Sequence, residues 1–145
     1  MRAVMCLSMI SAAALKVIPR VWPYNRRMST SELPVVYLKI ERKSTHPWIF
    51  QKMVEKPEAK PRPGSIVDIV DATNHWVGRG FYNGHSRITL RVLTEDFDEA
   101  LDEAYFSRKI AEAFNLRRNI IKLVAVSDSW RVGHSEGDGL SGLVV

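Results

Sequence analysis

Cationic and aromatic side chains alternate through the middle of this sequence, and such a pattern could bind RNA. The cations are Lys39, Arg42, Lys43, Arg79, Arg87 and Arg91, and the aromatic residues are Tyr37, Trp48, Trp76 and Tyr82. Cationic groups contact phosphates, and aromatic rings stack on exposed bases. The same composition also suits an ordinary solvated sheet whose aromatic residues fill the core. From these residues alone, both interpretations stay open.

The distribution of charge supports a basic module in the middle of the chain. The whole chain of 145 residues carries a formal net charge of +5. Residues 34–94 contain ten basic and five acidic residues, whereas residues 95–145 contain six basic and ten acidic residues. The two regions therefore carry +5 and −4. A local excess of positive charge indicates a polyanionic partner better than the total does, because binding depends on the local field.

Other chemistries find little support in the spacing of the polar residues. No two of the four histidines (His46, His75, His85 and His134) are four residues apart, and none lies in a cluster of carboxylates or cysteines, so no metal site is predicted. The stretch Gly133–Gly139 could cradle a phosphate, but it lacks the Walker lysine and a following helix, which favours a turn entering a hairpin. No set of Ser, His and Asp or of Cys and His has a recognisable context, so no catalytic residue is predicted.

The first 33 residues differ from the rest. An apolar run from Ala3 to Leu15 is followed by basic residues, which suggests either a signal peptide or an overlong gene start with Met28 as the true start. We predict a leader over residues 1–33, disordered or the product of an overlong gene start. The lone cysteine, Cys6, excludes a disulfide within the chain and fits a reducing compartment.

Alternating apolar residues predict a fold of mainly β structure with α (α+β). The strands are expected at 35–40, 65–71, 76–82 and 88–94, in a small, curved, mostly antiparallel sheet or barrel. The connection at 41–45 could hold one helical turn, and the proline-rich stretch 55–64 is expected to be an exposed loop. Gly78 and Gly80 alternate within one strand, which predicts a bulge or the close approach of another backbone.

After the strands, the apolar period changes to that of a helix. We predict a helix over about 102–121, with Asp102 as its N-cap. The glycine-rich stretch after it predicts a turn that leads into a strand, Leu143–Val145.

Four stretches in order resemble the class I large-subunit ribosomal RNA methyltransferases, which use S-adenosylmethionine and act on cytosine C5. They are VVYLKIERKSTHPWIF, PGSIVDIVDATNHWVGRGFYNGHSRITLRVLT, DEAYFSRKIAEAFNLRR and WRVGHSEGDGLSGLVV. The resemblance implies a PUA-like, barrel-shaped RNA-binding domain over residues 34–96. It also implies a linker helix over 97–122 and the start of a truncated central domain over 123–145.

The residue pattern and the resemblance together predict roles for individual residues. RNA contacts are expected from Lys39, Arg42, Lys43, Arg79, Tyr82, Arg87 and Arg91. Structural roles are expected from Pro47, which turns the chain, from Trp48 and Phe50, which anchor that turn in the barrel, and from Gly78 and Gly80.

The family's catalytic domain is expected to be missing from this chain. We therefore expect the chain to have no methyltransferase activity and no cofactor of its own, although the full-length family uses S-adenosylmethionine. The expected partner is ribosomal RNA in the cytoplasm. The alternative is a stand-alone module that docks a protein and has no role with RNA.

Overall fold

Five short strands form one curved sheet in the computed structural model, which describes residues 33–143. The strands are β1 (Val35–Tyr37), β2 (Trp48–Phe50), β3 (Ile66–Val70), β4 (Trp76–Tyr82) and β5 (Ile88–Thr94). Their order in the sheet is β1-β3-β4-β5-β2, with β1 parallel to β3 and the other pairs antiparallel. The predicted strands are thus confirmed, with the first one shorter than expected.

The two edges of this sheet meet. Just after β1, the Lys39 amide donates to the carbonyl of Met53 at 2.8 Å, and the Glu55 amide donates to the carbonyl of Tyr37 at 2.9 Å. Between these bonds, Leu38 and Val54 form an antiparallel bridge. Because β1 and β2 are the outermost strands, this bridge curls the sheet into a small barrel. The predicted helical turn at 41–45 is absent, and those residues are irregular.

One face of each strand fills the barrel interior. The buried core consists of Val36, Leu38, Ile49, Val54, Val67, Ile69, Tyr82, Leu90 and Val92. On β4, Gly78 and Gly80 precede Tyr82 at alternate positions, and both lie against β5. A Cβ atom at Gly80 would lie 2.0 Å from the carbonyl oxygen of Arg91 on β5, and the pairing register shifts beside both glycines. The predicted close approach of another backbone is therefore confirmed.

A helix packs on the outside of the barrel. Helix α1 spans Glu103–Asn115, and the Asp102 carboxylate caps it by accepting a hydrogen bond from the amide of Tyr105 at 2.9 Å. The ring of Phe106 stacks on that of Phe81 in β4, with 6.1 Å between centroids. The predicted N-cap is confirmed. The α-helical part ends at Asn115, and a π-helix, Leu116–Ile120, continues it almost to the predicted end near residue 121.

The last described residues fold back against the barrel. The expected hairpin entry is wrong, because Ser135–Asp138 form a 3-10 helix. Leu140 is 2% exposed, so this segment is packed. Of the predicted final strand, residues 144–145 lie outside the described residues, as does the predicted leader up to residue 32. Within 33–143, no helix combines the length and apolar character needed to cross a bilayer.

Candidate nucleic-acid interface

Three lysines line a groove at one end of the barrel. Lys39 follows β1, while Lys56 and Lys60 belong to the proline-rich loop after residue 54. Together they border a groove of about 310 Å³, which we call the lysine groove. The hydrogen bonds that close the barrel, on either side of Leu38 and Val54, bring the chain after β1 beside the start of that loop.

Three more cations lie beside the same groove. The amide of Gln51, a groove residue, donates to the carbonyl of Arg87 at 2.9 Å, and Lys52 is its neighbour in the chain. The amide of Gly64 donates to the carbonyl of Tyr82, another groove residue, so the turn containing Arg62 is adjacent as well. All six cations are exposed.

The six cations keep their charge available to a ligand. No ion pair within residues 33–143 involves any of them. The acidic residues of the adjoining loop are Glu55 and Glu58, so this end of the barrel carries a net charge of +4. Exposed, unpaired cations around a groove create a positive potential that attracts polyanions.

Sequence reasoning found part of this surface. Of the predicted RNA contacts, Lys39 lines the lysine groove, and Arg87 adjoins it through its backbone bond to Gln51. The loop cations Lys56, Lys60 and Arg62 were missed because the loop EKPEAKPRPG was interpreted only as a connection, and Lys52 just before that loop was missed as well. A signal was present in the sequence, since cations alternate with prolines there. Prolines restrict the backbone and thereby limit the entropy lost when such a loop binds.

Arg79 is buried, and the RNA contact predicted for it is wrong in this arrangement. Its side chain is 8% exposed, and its Nε lies 2.8 Å from Oδ1 of the fully buried Asp68. Its Nη1 donates to the carbonyl of Glu99 at 2.8 Å. The outward face of β4 is covered by the chain that leads into α1, so this arginine ties that chain to the barrel instead of facing solvent.

Tyr82 is also unavailable for stacking on a base. It is 4% exposed and belongs to the buried core of the barrel. Tyr82 nevertheless lines the lysine groove, and a Cβ atom built on Gly84 would lie 2.7 Å from its hydroxyl oxygen. It is a core residue at the base of the groove, so the predicted stacking role is corrected to a structural one.

Arg91 and Trp48 meet at a carboxylate from the folded-back segment. Oε1 of Glu136 accepts from Nη1 of Arg91 at 2.8 Å, from Nε1 of Trp48 at 2.7 Å and from the hydroxyl of Ser141 at 2.8 Å. The guanidinium of Arg91 also lies over the Trp48 ring, 5.6 Å from its centroid. Partial burial raises the pKa of Glu136, but hydrogen bonds from Ser135, Trp48 and Ser141 outweigh this and lower the pKa to about 2. In this structure Arg91 is engaged by protein.

The HPWIF stretch is anchored by its isoleucine. Ile49 is 3% exposed and belongs to the core, whereas Phe50 is 39% exposed. Alternation along β2 places the two on opposite faces, so the predicted anchoring role of Phe50 is wrong. Trp48 fixes the turn through its bond to Glu136, and Pro47 accepts a hydrogen bond from the amide of Val92 at 2.8 Å.

The remaining predicted contacts, Arg42 and Lys43, lie away from the lysine groove. Arg42 is 8% exposed along its side chain and donates from Nε to the carbonyl of Ser44 and from Nη2 to that of His46. It thereby holds the loop before Pro47. The side chain of Lys43 is 81% exposed, with Nζ 3.6 Å from the carboxylate of Glu41. Across residues 33–143 there is no cluster of His, Cys, Asp and Glu suited to a metal ion.

Comparison with known proteins agrees with this architecture. Residues 41–95 match the family model of a PUA-like domain. The chain is 40% identical over 100 residues to ribosomal RNA large subunit methyltransferase I of Klebsiella pneumoniae subsp. pneumoniae, covering 69% of this chain and 25% of that protein. It is 37% identical over 114 residues to the protein of the same name from Tolumonas auensis, covering 76% and 28%.

A third relative of the same name, from Alteromonas mediterranea, is 35% identical over 100 residues. The chain thus spans about a quarter of the length of the curated relatives that it matches. The match to a PUA-like domain and the agreement with several relatives at this level of identity bear out the resemblance drawn from the sequence motifs. The chain therefore contains a PUA-like domain and is similar, over about a quarter of their length, to the proteins named ribosomal RNA large subunit methyltransferase I.

Proposed function

We propose that this chain binds ribosomal RNA in the cytoplasm through its lysine groove. It would serve as the RNA-binding part of a methyltransferase that uses S-adenosylmethionine and acts on cytosine C5. The observation that carries the proposal is a groove lined by three exposed lysines, with three more exposed cations on the adjoining backbone. None of the six is in an ion pair within the described residues. The names of the relatives are the basis for proposing ribosomal RNA as the ligand and methyl transfer as the reaction.

Binding at this surface would be led by phosphate contacts. Lysines are mobile point charges that suit the irregular backbone of a folded RNA better than they suit a defined base edge. The groove also offers the exposed polar side chain of Gln51. We therefore expect affinity to fall steeply with salt and to depend more on RNA shape than on sequence.

The experiment compares the chain with the double variant Lys56→Gln/Lys60→Gln in binding to a labelled fragment of large-subunit ribosomal RNA. Fluorescence anisotropy over a series of KCl concentrations gives the slope of log affinity against log salt. Each lost phosphate contact should reduce that slope by about 0.7–0.9, so the double variant should lose about 1.5. Affinity at low salt should fall at least about tenfold.

The matched control is Arg118→Gln/Lys122→Gln, which also removes two exposed positive charges but from the end of the helical region. Its salt slope should stay close to that of the parent chain. If both double variants lose the same slope, the RNA responds to total charge and the groove is not the site. An unchanged slope in Lys56→Gln/Lys60→Gln also refutes the assignment.

The alternative function, a protein-docking module without an RNA role, predicts a different result. Apolar side chains are exposed after α1, with Ile120 at 67% and Val126 at 81%. Self-association of the chain, together with no salt-dependent affinity for RNA, would favour that alternative over the one proposed.

A further inference from the structure

A second cavity, of about 740 Å³, lies beside the loop that precedes Pro47. Arg42, Trp76 and Phe97 line it, together with several carboxylates. The rings of Trp76 and Phe97 meet edge to face, with 5.2 Å between centroids, and Phe97 is 38% exposed. An exposed ring at the wall of a cavity offers a flat apolar surface on which another ring can stack.

Arg42 carries an unsatisfied donor at this cavity. Its Nη1 is buried and has no hydrogen-bond partner within residues 33–143, although Nε and Nη2 are both bonded to carbonyls. Its charge is poorly compensated, because the nearest carboxylate oxygen, from Glu95, is 3.8 Å from Nη2. A buried donor without a partner is costly, so a ligand with a hydrogen-bond acceptor would be stabilised here.

Because the carboxylates of the cavity accept hydrogen bonds, a ligand bound there should also carry hydrogen-bond donors. Glu95, Asp96 and Asp98 lie together on the segment after β5. The carboxylate of Asp98 accepts no hydrogen bond from the described residues, whereas Oδ1 of Asp96 accepts one from the Asp98 amide at 3.1 Å. These negative charges disfavour a phosphate inside the cavity. The occupant therefore combines a flat ring with acceptors on one edge and donors on another.

We propose that this cavity binds one unstacked guanine base of a single-stranded RNA segment. Guanine presents O6 and N7 as neighbouring acceptors, which match an arginine. It presents N1–H and the N2 amino group as neighbouring donors, which match a carboxylate such as that of Asp98. Cytosine, adenine and uracil each lack one of these two paired edges. The ring stacks on the exposed side of Phe97, and the exposed residues Lys43, Ser44 and Thr45 shift to admit the base edge to Arg42.

This inference rests on the RNA binding proposed above and is tested so that the two can fail separately. The probes are a short labelled oligouridine and the same strand with one central guanosine, adenosine or cytidine. Anisotropy titrations at low salt should show the guanosine strand binding about tenfold more tightly than the other three. Asp98→Asn and Phe97→Leu should each abolish that preference and leave the affinity for plain oligouridine unchanged.

The control variant is Asp128→Asn, which removes an exposed carboxylate elsewhere and should keep the guanosine preference. Equal affinities for all four strands overturn the guanine site and leave the lysine groove standing. The proposal is also overturned if Asp98→Asn keeps the guanosine preference. This variant should fold, because the Asp98 carboxylate accepts no hydrogen bond from the described residues. If a peptide of arginine and glycine repeats binds instead and Asp98→Asn weakens it, the cavity takes a basic peptide and the proposal is wrong.

Discussion

Replacing Arg79 with methionine removes a guanidinium that is buried between β4 and the chain leading into α1. The replacement keeps a long, apolar side chain at that position. The Asp68 carboxylate, which is fully buried, would lose the Nε contact at 2.8 Å and keep that from the indole of Trp76 at 3.2 Å. The carbonyl of Glu99 would lose the Nη1 donor at the same time. Removing one partner of a buried ion pair is costly because the other charge stays in a poorly solvated place.

The expected loss is about 3–5 kcal/mol of unfolding free energy, and we take the lower end because Trp76 continues to bond Asp68. Urea unfolding followed by circular dichroism measures it. With an m-value of about 1.5 kcal/mol per molar, a loss of about 3 kcal/mol moves the midpoint down by about 2 M. At urea concentrations where both proteins are folded, RNA affinity and its salt slope should be unchanged, because Arg79 does not reach the surface.

A midpoint shift below about 0.5 M would refute the buried pair as a source of stability. A reduced salt slope would instead restore Arg79 as a phosphate contact. The double variant Asp68→Asn/Arg79→Met serves as the control, since it removes both charges. It should recover part of the lost stability if the penalty comes from the charge left behind.

Three further predictions concern single residues. The folded-state pKa of Glu136, about 2, lies below its ordinary value of 4.5, so its stabilisation is present above about pH 4.5 and is lost as the pH falls towards 2. Thermal melts of Glu136→Gln should therefore depend less on pH in that window than those of the parent chain. Equal dependence would count against stabilisation by the bonds that Glu136 accepts from Arg91 and Trp48. Gly80→Ala should destabilise the barrel by about 3 kcal/mol or more, because its Cβ would lie 2.0 Å from the Arg91 carbonyl, while Gly137→Ala, whose nearest new contact is 3.4 Å, should be close to neutral in the same urea assay. Asp102→Ala should cost about 1 kcal/mol by removing the cap of α1, and Asp102→Asn, which can still accept from the Tyr105 amide, should cost less.

The sequence was sufficient for the elements whose pattern is local. Alternation located β3, β4 and β5, and Asp102 marked the start of α1, because both signals depend on neighbouring residues only. The glycines of β4 also predicted a close approach, since only a residue without a Cβ tolerates one.

The sequence was insufficient where a second layer covers the sheet. Arg79 and Arg91 occupy outward positions, which in an uncovered barrel would face solvent. The chain around Glu99 covers Arg79, and the carboxylate of Glu136 binds Arg91. The strand pattern does not predict which segment returns to the sheet. The lysines of the loop were overlooked for the opposite reason, since their convergence at the groove depends on the closure of the barrel.

That closure also bears on how the protein behaves at high concentration. An open sheet exposes unpaired amides and carbonyls that another chain can extend, which is a common route to aggregation. Here both outermost strands are three residues long, and the bonds between Lys39 and Met53 and between Tyr37 and Glu55 occupy the backbone beside them. A strand of another molecule therefore finds few open backbone groups at these two edges. Any precipitation should begin instead at the exposed apolar side chains after α1.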